Sequence, residues 1–229
     1  MGLTNLNISS YRYERKFFID YFSKSKVQSI IELHPEMFIK SFHQRFVNNI
    51  YFDSFQMNNY FDNVEGVRDR KKIRVRWYGS LWGLIEKPIL EIKIKKGLLG
   101  KKISYPLNSF SLNQETKIMD ILNPIKYFKE NIPFKPETLI PTLLNRYSRE
   151  YFLSSNTNYR ITIDNDQSFY SINKEKNTFL RNYQDKKSVV VELKYNKKFD
   201  NEAHSITSKL PFRMTKSSKY IYGLEQIIN

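Results

Sequence analysis

Charged side chains alternate strictly with apolar ones in several short segments of this chain, and that alternation limits its fold more than any other feature. In Arg70-Lys71-Lys72-Ile73-Arg74-Val75-Arg76-Trp77, residues Arg70, Lys72, Arg74 and Arg76 share one parity, while Ile73, Val75 and Trp77 share the other. Successive side chains on a strand point to opposite faces, so the four cations form one row and the hydrophobes another. The pattern returns in Leu90-Glu91-Ile92-Lys93-Ile94-Lys95, Arg160-Ile161-Thr162-Ile163-Asp164 and Val191-Glu192-Leu193-Lys194-Tyr195. Earlier, Arg12, Glu14 and Lys16 alternate with Tyr11, Tyr13 and Phe17. An ordinary sheet turns such charges to bulk water. Rows this dense, mixed in sign and repeated in nearly every strand suggest a closed sheet whose polar face lines a cavity for a multiply charged anion.

Composition agrees with that reading. The 229 residues suit a single domain, and 40% apolar content with 15% aromatic residues is enough to bury a core. The 38 Lys and Arg against 23 Asp and Glu give a net charge of +15, which calls for a polyanionic partner. Part of the lysine excess belongs to a general Lys/Asn/Ile/Tyr/Phe bias and carries no function. The absence of cysteine excludes disulfides, zinc-thiolate sites and thiol catalysis. His34, His43 and His204 stand at no metal-ligand spacing and read as structural or solvated. No apolar run approaches the roughly 20 residues of a membrane span, and the first residues open no signal peptide, so a cytoplasmic protein is expected.

No Gly/Ser/Pro linker divides the chain, so residues 1–229 are read as one domain. Strands are expected over residues 11–19, 47–52, 67–78, 89–95, 101–105, 143–153, 159–164 and 188–195, with turns at 82–88 and 97–100. Helical periodicity marks residues 23–33, 112–130 (interrupted by Pro124), 202–210 and 217–228, and a helical turn or loop is expected over 56–64. Runs of strands with a few interspersed helices make this an α+β chain, largely antiparallel.

Moving or cleaving a phosphoryl group needs cations on the phosphate oxygens and a divalent metal held by carboxylates, with little covalent help from the protein. Arg70, Lys72, Arg74, Arg76, Lys93, Lys95 and Arg160 would supply cations. Glu14, Glu91 and Glu192, each in a Glu-x-Lys pattern, would supply carboxylates. A single Glu-x-Lys is a common surface pairing; three copies on strands beside a row of arginines are not. Aromatics alternating with these charges (Tyr51, Trp77, Tyr78, Tyr220) read as core packing rather than base-stacking platforms, with Tyr147 excepted because it shares the parity of Arg149. Asp164 and Asp166 read as turn formers at a strand end.

The ordered set Tyr51-Phe52-Asp53, Gly66, Arg74-Val75-Arg76-Trp77-Tyr78-Gly79, Leu90-Glu91-Ile92-Lys93, Tyr147-Ser148-Arg149-Glu150-Tyr151-Phe152, Arg160-Ile161-Thr162-Ile163-Asp164, Val191-Glu192-Leu193-Lys194 and Ser218-Lys219-Tyr220-Ile221-Tyr222-Gly223 resembles the VTC domain over nearly the whole chain. This is the polyphosphate polymerase domain of the vacuolar transporter chaperone complex and its bacterial relatives, within the triphosphate tunnel metalloenzymes. The resemblance implies a closed antiparallel β-barrel of about eight strands with flanking helices. It also implies that Lys16, Arg74, Arg76, Lys93, Tyr147, Arg149 and Lys219 bind triphosphate, that Ser218 and Lys102 add phosphate contacts, and that Glu192 binds the metal. Two departures stand out. The wider superfamily opens with Glu-x-Glu-x-Lys, whereas Arg12 occupies the first position here, and the chain has no room for the sensing domain or membrane helices of eukaryotic relatives. Any export partner in the membrane would be another chain.

The reading that follows is a Mn²⁺- or Mg²⁺-dependent phosphotransferase adding the ATP γ-phosphate to polyphosphate. Arg74, Arg76, Lys93, Arg149 and Lys219 would act on the transferring group, and Lys16, Lys72, Lys102, Tyr147, Arg160 and Ser218 would bind phosphates. Glu192, Glu14 and Glu91 would serve the metal. The alternatives are a triphosphatase acting on inorganic or nucleoside triphosphate and a non-catalytic polyphosphate- or nucleotide-binding module. A tunnel open at both ends favours polymerisation, and one closed at an end favours hydrolysis. Sequence-specific nucleic-acid binding lacks any motif.

Overall fold

The structure of the protein, a computed structural model, describes residues 7–8, 12–97, 99–127 and 135–228. Twelve strands are formed: β1 (Asn7–Ile8), β2 (Arg12–Ile19), β3 (Ile39–Ser54), β4 (Asp69–Tyr78), β5 (Gly83–Ile85), β6 (Ile89–Lys96), β7 (Leu99–Pro106), β8 (Phe110–Leu112), β9 (Leu139–Leu153), β10 (Tyr159–Tyr170), β11 (Asn182–Asp185) and β12 (Val189–Asn196). The helices are α1 (Lys24–Glu32), α2 (Asn58–Val64), α3 (Asp200–Thr207) and α4 (Lys219–Ile228). Eight strands pair antiparallel in the order β7-β2-β12-β10-β9-β3-β4-β6, and β6 pairs back onto β7 to close the ring. The β2–β7 seam is short, with Arg12 opposite Gly100, while β6 and β7 pair from Ile89–Pro106 to Lys96–Leu99. β1 and β11 add to β7 and β10, and β5 pairs with β8 apart from the ring.

Alternation sorts the two faces as the sequence implies. On one side of the ring Ile50, Ile73, Val75, Trp77, Leu90 and Ile92 face outward and pack on Ile118, Ile121 and Leu122 of a 3₁₀ segment, Ile118–Tyr127. On the other side Phe17, Ile19, Ile161, Ile163, Val191 and Leu193 meet Val27 and Ile31 of α1 and Ala203 and Ile206 of α3. Ser23 starts α1 by accepting from the Lys26 amide, as an N-cap does.

A third cluster lies inside the ring. Tyr51 and Leu143 are opposite one another on β3 and β9 and share the parity of Asn49, Asn145 and Tyr147; with Phe169 of β10 they pack on Tyr220, Leu224 and Ile227 of α4. The last helix therefore occupies one end of the barrel. Gly223 permits it, because a Cβ there would lie 2.2 Å from the Phe169 ring and 2.8 Å from Leu143 Cδ2.

Several elements differ from the sequence reading. β3 spans Ile39–Ser54 rather than 47–52, because its first half is an exposed strand without apolar alternation. Asp164 does not end a strand: β10 continues to Tyr170 through a bulge between Asn165 and Ser168, where Asp166 takes φ 49. The helix read over 112–130 is instead the end of β8 followed by the 3₁₀ segment, with residues 128–130 outside the described residues. Tyr11 and Leu98, in the first strand and the 97–100 turn of the sequence reading, also lie outside them. Gly97 holds that turn at φ 59. No helix among the described residues is long and apolar enough to cross a membrane.

A cationic tunnel as the candidate functional site

The inward parity of the ring strands brings the charged rows together. On β4, Lys72, Arg74 and Arg76 lie opposite Lys93, Glu91 and Ile89 of β6, and Lys102 of β7 lies opposite Lys93. On β2 and β12, Lys16 faces Glu192 and Glu14 faces Lys194. On β9 and β10, Arg149 faces Asp164. Nine cations (Lys16, Lys72, Arg74, Arg76, Lys93, Lys102, Arg149, Lys194 and Lys219) share the interior with four carboxylates (Glu14, Glu91, Asp164 and Glu192).

Three knots of charge result. Glu91 accepts from Arg74 at 2.6 and 2.9 Å and from Lys102 at 2.7 Å, with Arg76 Nη1 at 3.6 Å. Arg76 also donates to Asn49 Oδ1 at 2.8 Å and to the Tyr147 hydroxyl at 3.0 Å, so it is buried within a polar network. Asp164, fully buried, takes both Arg149 donors at 2.5 and 2.6 Å and Lys219 Nζ at 2.6 Å. Glu192 meets Lys16 at 3.0 Å, Lys194 at 2.7 Å and Arg149 at 3.8 Å. Lys93 pairs with Glu14 at 2.5 Å. The cations of Arg149 and Lys219 stand over the Tyr147 ring at 5.2 and 4.7 Å.

The start of α4 is part of the same site. Lys16 Nζ donates to the Ser217 carbonyl at 3.2 Å, and Lys72 Nζ donates to Ser218 Oγ at 2.7 Å. Lys72 meets no carboxylate among the described residues. Burial lowers its affinity for a proton, and Lys16, Lys93, Arg70 and Arg74 push further in that direction, so it sits well below the usual lysine range. Burial likewise lowers Lys93, which Glu14 only partly restores, to about 8. Burial pushes the Glu14 carboxyl up, yet Lys93, Lys194 and Lys16 outweigh it and bring it down to about 2. Burial is outweighed in the same way at Glu91, Asp164 and Glu192, whose cations hold them ionised. Among the described residues the interior thus holds more cationic groups than carboxylates, and an anion entering it would raise the proton affinity of Lys72 and Lys93.

The residues singled out in the sequence are therefore distributed as follows. Lys16, Lys72, Arg74, Arg76, Lys93, Lys102, Tyr147, Arg149, Ser218 and Lys219 converge on the interior. Arg160 does not join them: it is exposed near the start of β10, opposite Lys194 and Leu153. Sequence reasoning left out Asn49, Asn145, Asp164 and Lys194 as site residues. Asn49 shares the parity of Tyr51, and Asn145 that of Tyr147, which was the available signal. Asn145 Nδ2 and Thr162 Oγ1 are buried with no partner among the described residues.

Glu14, Glu91 and Glu192 do not converge, and no group of three or more His, Cys, Asp or Glu among the described residues forms a metal cluster. Mg²⁺ needs only one or two carboxylates when substrate phosphates complete its shell. Glu192 and Glu14, on neighbouring strands with the same parity, fit that donor set. Glu91, on β6, is already occupied by Arg74, Arg76 and Lys102.

A family model described as the VTC domain matches residues 11–228. A comparison with curated proteins finds no match. Among solved structures, the fold is similar to a protein provisionally named an adenylate cyclase from Bacillus halodurans, with a TM-score of 0.49 and 11% identity, over 91% of this chain and 95% of that one. It is also similar to one from Vibrio parahaemolyticus under the same provisional name, with a TM-score of 0.49 and 8% identity, over 92% of this chain and 97% of that one.

Proposed function

The chain belongs to the VTC domain family, and on that premise we propose that its tunnel holds the phosphates of ATP and passes the γ-phosphoryl group to the end of a polyphosphate chain. The observation that supports this most is the surplus of inward-facing cations over carboxylates, nine against four among the described residues, inside a closed ring. Phosphoryl transfer asks a protein chiefly for positioning and charge neutralisation, and this interior is built of little else. Arg74, Arg76 and Arg149 offer planar, multidentate donors to phosphate oxygens, and Lys16, Lys72, Lys93, Lys102 and Lys219 offer mobile point charges. The acceptor chain's own terminal oxygen serves as nucleophile. Glu192, with Glu14, would hold Mn²⁺ or Mg²⁺, which supplies further neutralisation of the transferring group when bound.

A second reading has one observation in its favour. α4 occupies one end of the ring, and a tunnel closed at one end suits hydrolysis of a triphosphate better than extension of a long chain. Incubation of the purified protein with ATP and Mn²⁺ or Mg²⁺, scoring polyphosphate, ADP and free phosphate separately, decides between them. Long-chain polyphosphate with ADP supports the transferase. Free phosphate without polymer supports the triphosphatase, and tight binding without turnover leaves a binding module.

A further inference from the structure

One step beyond the cations, along the same strands and on the same face, the tunnel residues become aromatic. On β4 the inward series Arg74, Arg76 continues to Tyr78; on β9 the series Tyr147, Arg149 continues to Tyr151. Arg45 of β3, opposite Arg149 in the ladder, stands between them. Its guanidinium lies 3.8 Å from the centre of the Tyr78 ring, 5.1 Å from that of Tyr151 and 4.6 Å from that of Phe42, and its Nε donates to the Tyr151 hydroxyl at 2.9 Å. Arg45 makes no ion pair among the described residues, and the three rings and the Tyr151 hydroxyl fix its plane.

This cluster is not core. Tyr78 is 39% exposed and Phe42 46%, whereas Trp77, the next residue to Tyr78 on the opposite face, is 2% exposed. Flat, apolar rings stacked with a guanidinium and left open to solvent form a stacking surface, and such a surface takes any base because every base has a π face. Its place matters as much as its chemistry. Two strand residues, about 6.6 Å, separate Tyr78 from Arg76, a span comparable with one sugar. A ligand with phosphates on Arg76 and Arg149 and a planar ring at its other end would meet both surfaces at once.

We infer that the Arg45–Tyr78–Tyr151–Phe42 rim is a seat for the base of a nucleoside triphosphate whose phosphates lie in the tunnel. This rests on the phosphate-binding reading of the tunnel and adds which residues receive the base at the other end of the ligand. The rim offers stacking and few hydrogen-bond groups, so it holds nucleotides broadly rather than those of adenine alone.

Calorimetric titration with ATP and, separately, with inorganic tripolyphosphate separates the two claims. In Tyr78→Leu, ATP affinity falls about tenfold, the lower end of what one stacked base contributes, while tripolyphosphate affinity stays at the wild-type value. Tyr78→Phe keeps ATP affinity, because it keeps the ring. Phe42→Ala gives the same selective loss from a second exposed position if Tyr78→Leu melts early. Equal losses for both ligands, or none for either, overturn the base seat and leave the phosphate reading in place. A wild type that binds neither ligand overturns both.

Discussion

Replacing Asp164 by Asn tests whether the tunnel carboxylates stand in for an anionic ligand. Asn keeps the size of the side chain and removes its charge, leaving Arg149 and Lys219 without their closest counter-charge. Both cations are 9% exposed or less at the side chain, so water screens them little. Breaking a buried pair by removing one partner costs about 3–5 kcal/mol. Glu192, 3.8 Å from Arg149, recovers some of this, so the lower part of that range is expected. For a chain of this length each kcal/mol moves the melting temperature by about 2–4 °C, so a loss of about 3–4 kcal/mol lowers it by about 6–16 °C. Tripolyphosphate should then raise the melting point of the variant more than that of the wild type, because phosphate oxygens replace the missing carboxylate as well as binding. The measurement is a pair of thermal melts at pH 7, with and without tripolyphosphate. An unchanged melting point without ligand, or an equal gain for both proteins with it, would refute the stand-in role. The sign with pH is also fixed. Asp164 titrates below its ordinary range when folded, so its stabilisation is present above the unfolded pKa and is lost as pH falls through the folded one.

Arg76→Ala should lose most phosphate affinity but also lower stability by about 1–3 kcal/mol, because Asn49 Oδ1 is left buried without its donor; a melt at the wild-type temperature in urea and heat would contradict that network. Val75→Asp, one residue away on the outward face and fully buried, should fail to fold or aggregate on expression, and a soluble variant with wild-type circular dichroism refutes the facing assigned to β4. Lys93 loses its proton above about 8, so tripolyphosphate binding should weaken from pH 7 to pH 9 with proton uptake on binding near pH 8, seen as a buffer-dependent enthalpy that Lys93→Met abolishes. Because that pKa is below the unfolded value, Lys93 itself makes the empty protein more stable, not less, as pH rises from about 8 toward the unfolded pKa. Glu192→Gln should bind ATP without metal at least as tightly as wild type while turnover collapses; wild-type metal dependence in that variant would pass the metal role to Glu14.

The outline of the barrel was legible in the chain because parity is a local property. β4, β6 and β12 carry most of their charges on one face and most of their hydrophobes on the other, and the core clusters divide along that line; β2 departs from it at Arg15, which faces outward to Tyr195 and Asp200. What sequence could not give was register. Whether Asp164 ends a strand or holds Arg149 and Lys219 depends on a ladder that pairs residues far apart in the chain and on a bulge that lets β10 continue. The same holds for Glu91: Glu-x-Lys identified a carboxylate facing inward, but only the β4–β6–β7 pairing shows that two arginines and Lys102 occupy it. β3 was read too short because residues 39–46 are largely exposed rather than packed on a core, so no apolar alternation marks them. Tyr78 was assigned to the core by the same habit and lies instead at the rim, while Tyr51, Trp77 and Tyr220 are buried as read.

The interior explains why α4 belongs to the site as well as to the packing. A helix presents partial positive charge and unpaired N–H groups at its N-terminus, and this one presents them among cations: Lys16 reaches the Ser217 carbonyl, Lys72 reaches Ser218 Oγ, and Lys219 is the first helical residue. Asp164 pairs with Lys219 and Glu192 with Lys16, with Glu14 close enough to add to the field at Lys16. A phosphate chain in the same place would satisfy the lysines and the helix terminus together. The next turn of the helix is fixed by different means, through the Tyr220 hydroxyl donating to Asp53 at 2.7 Å, the Tyr220 ring stacked on Tyr51 at 5.0 Å, and Gly223 against Phe169 and Leu143. Tyr51 in turn accepts from Arg74 at 3.4 Å. The residues that seat α4 in the end of the barrel are thus one contact removed from the cations that line the tunnel.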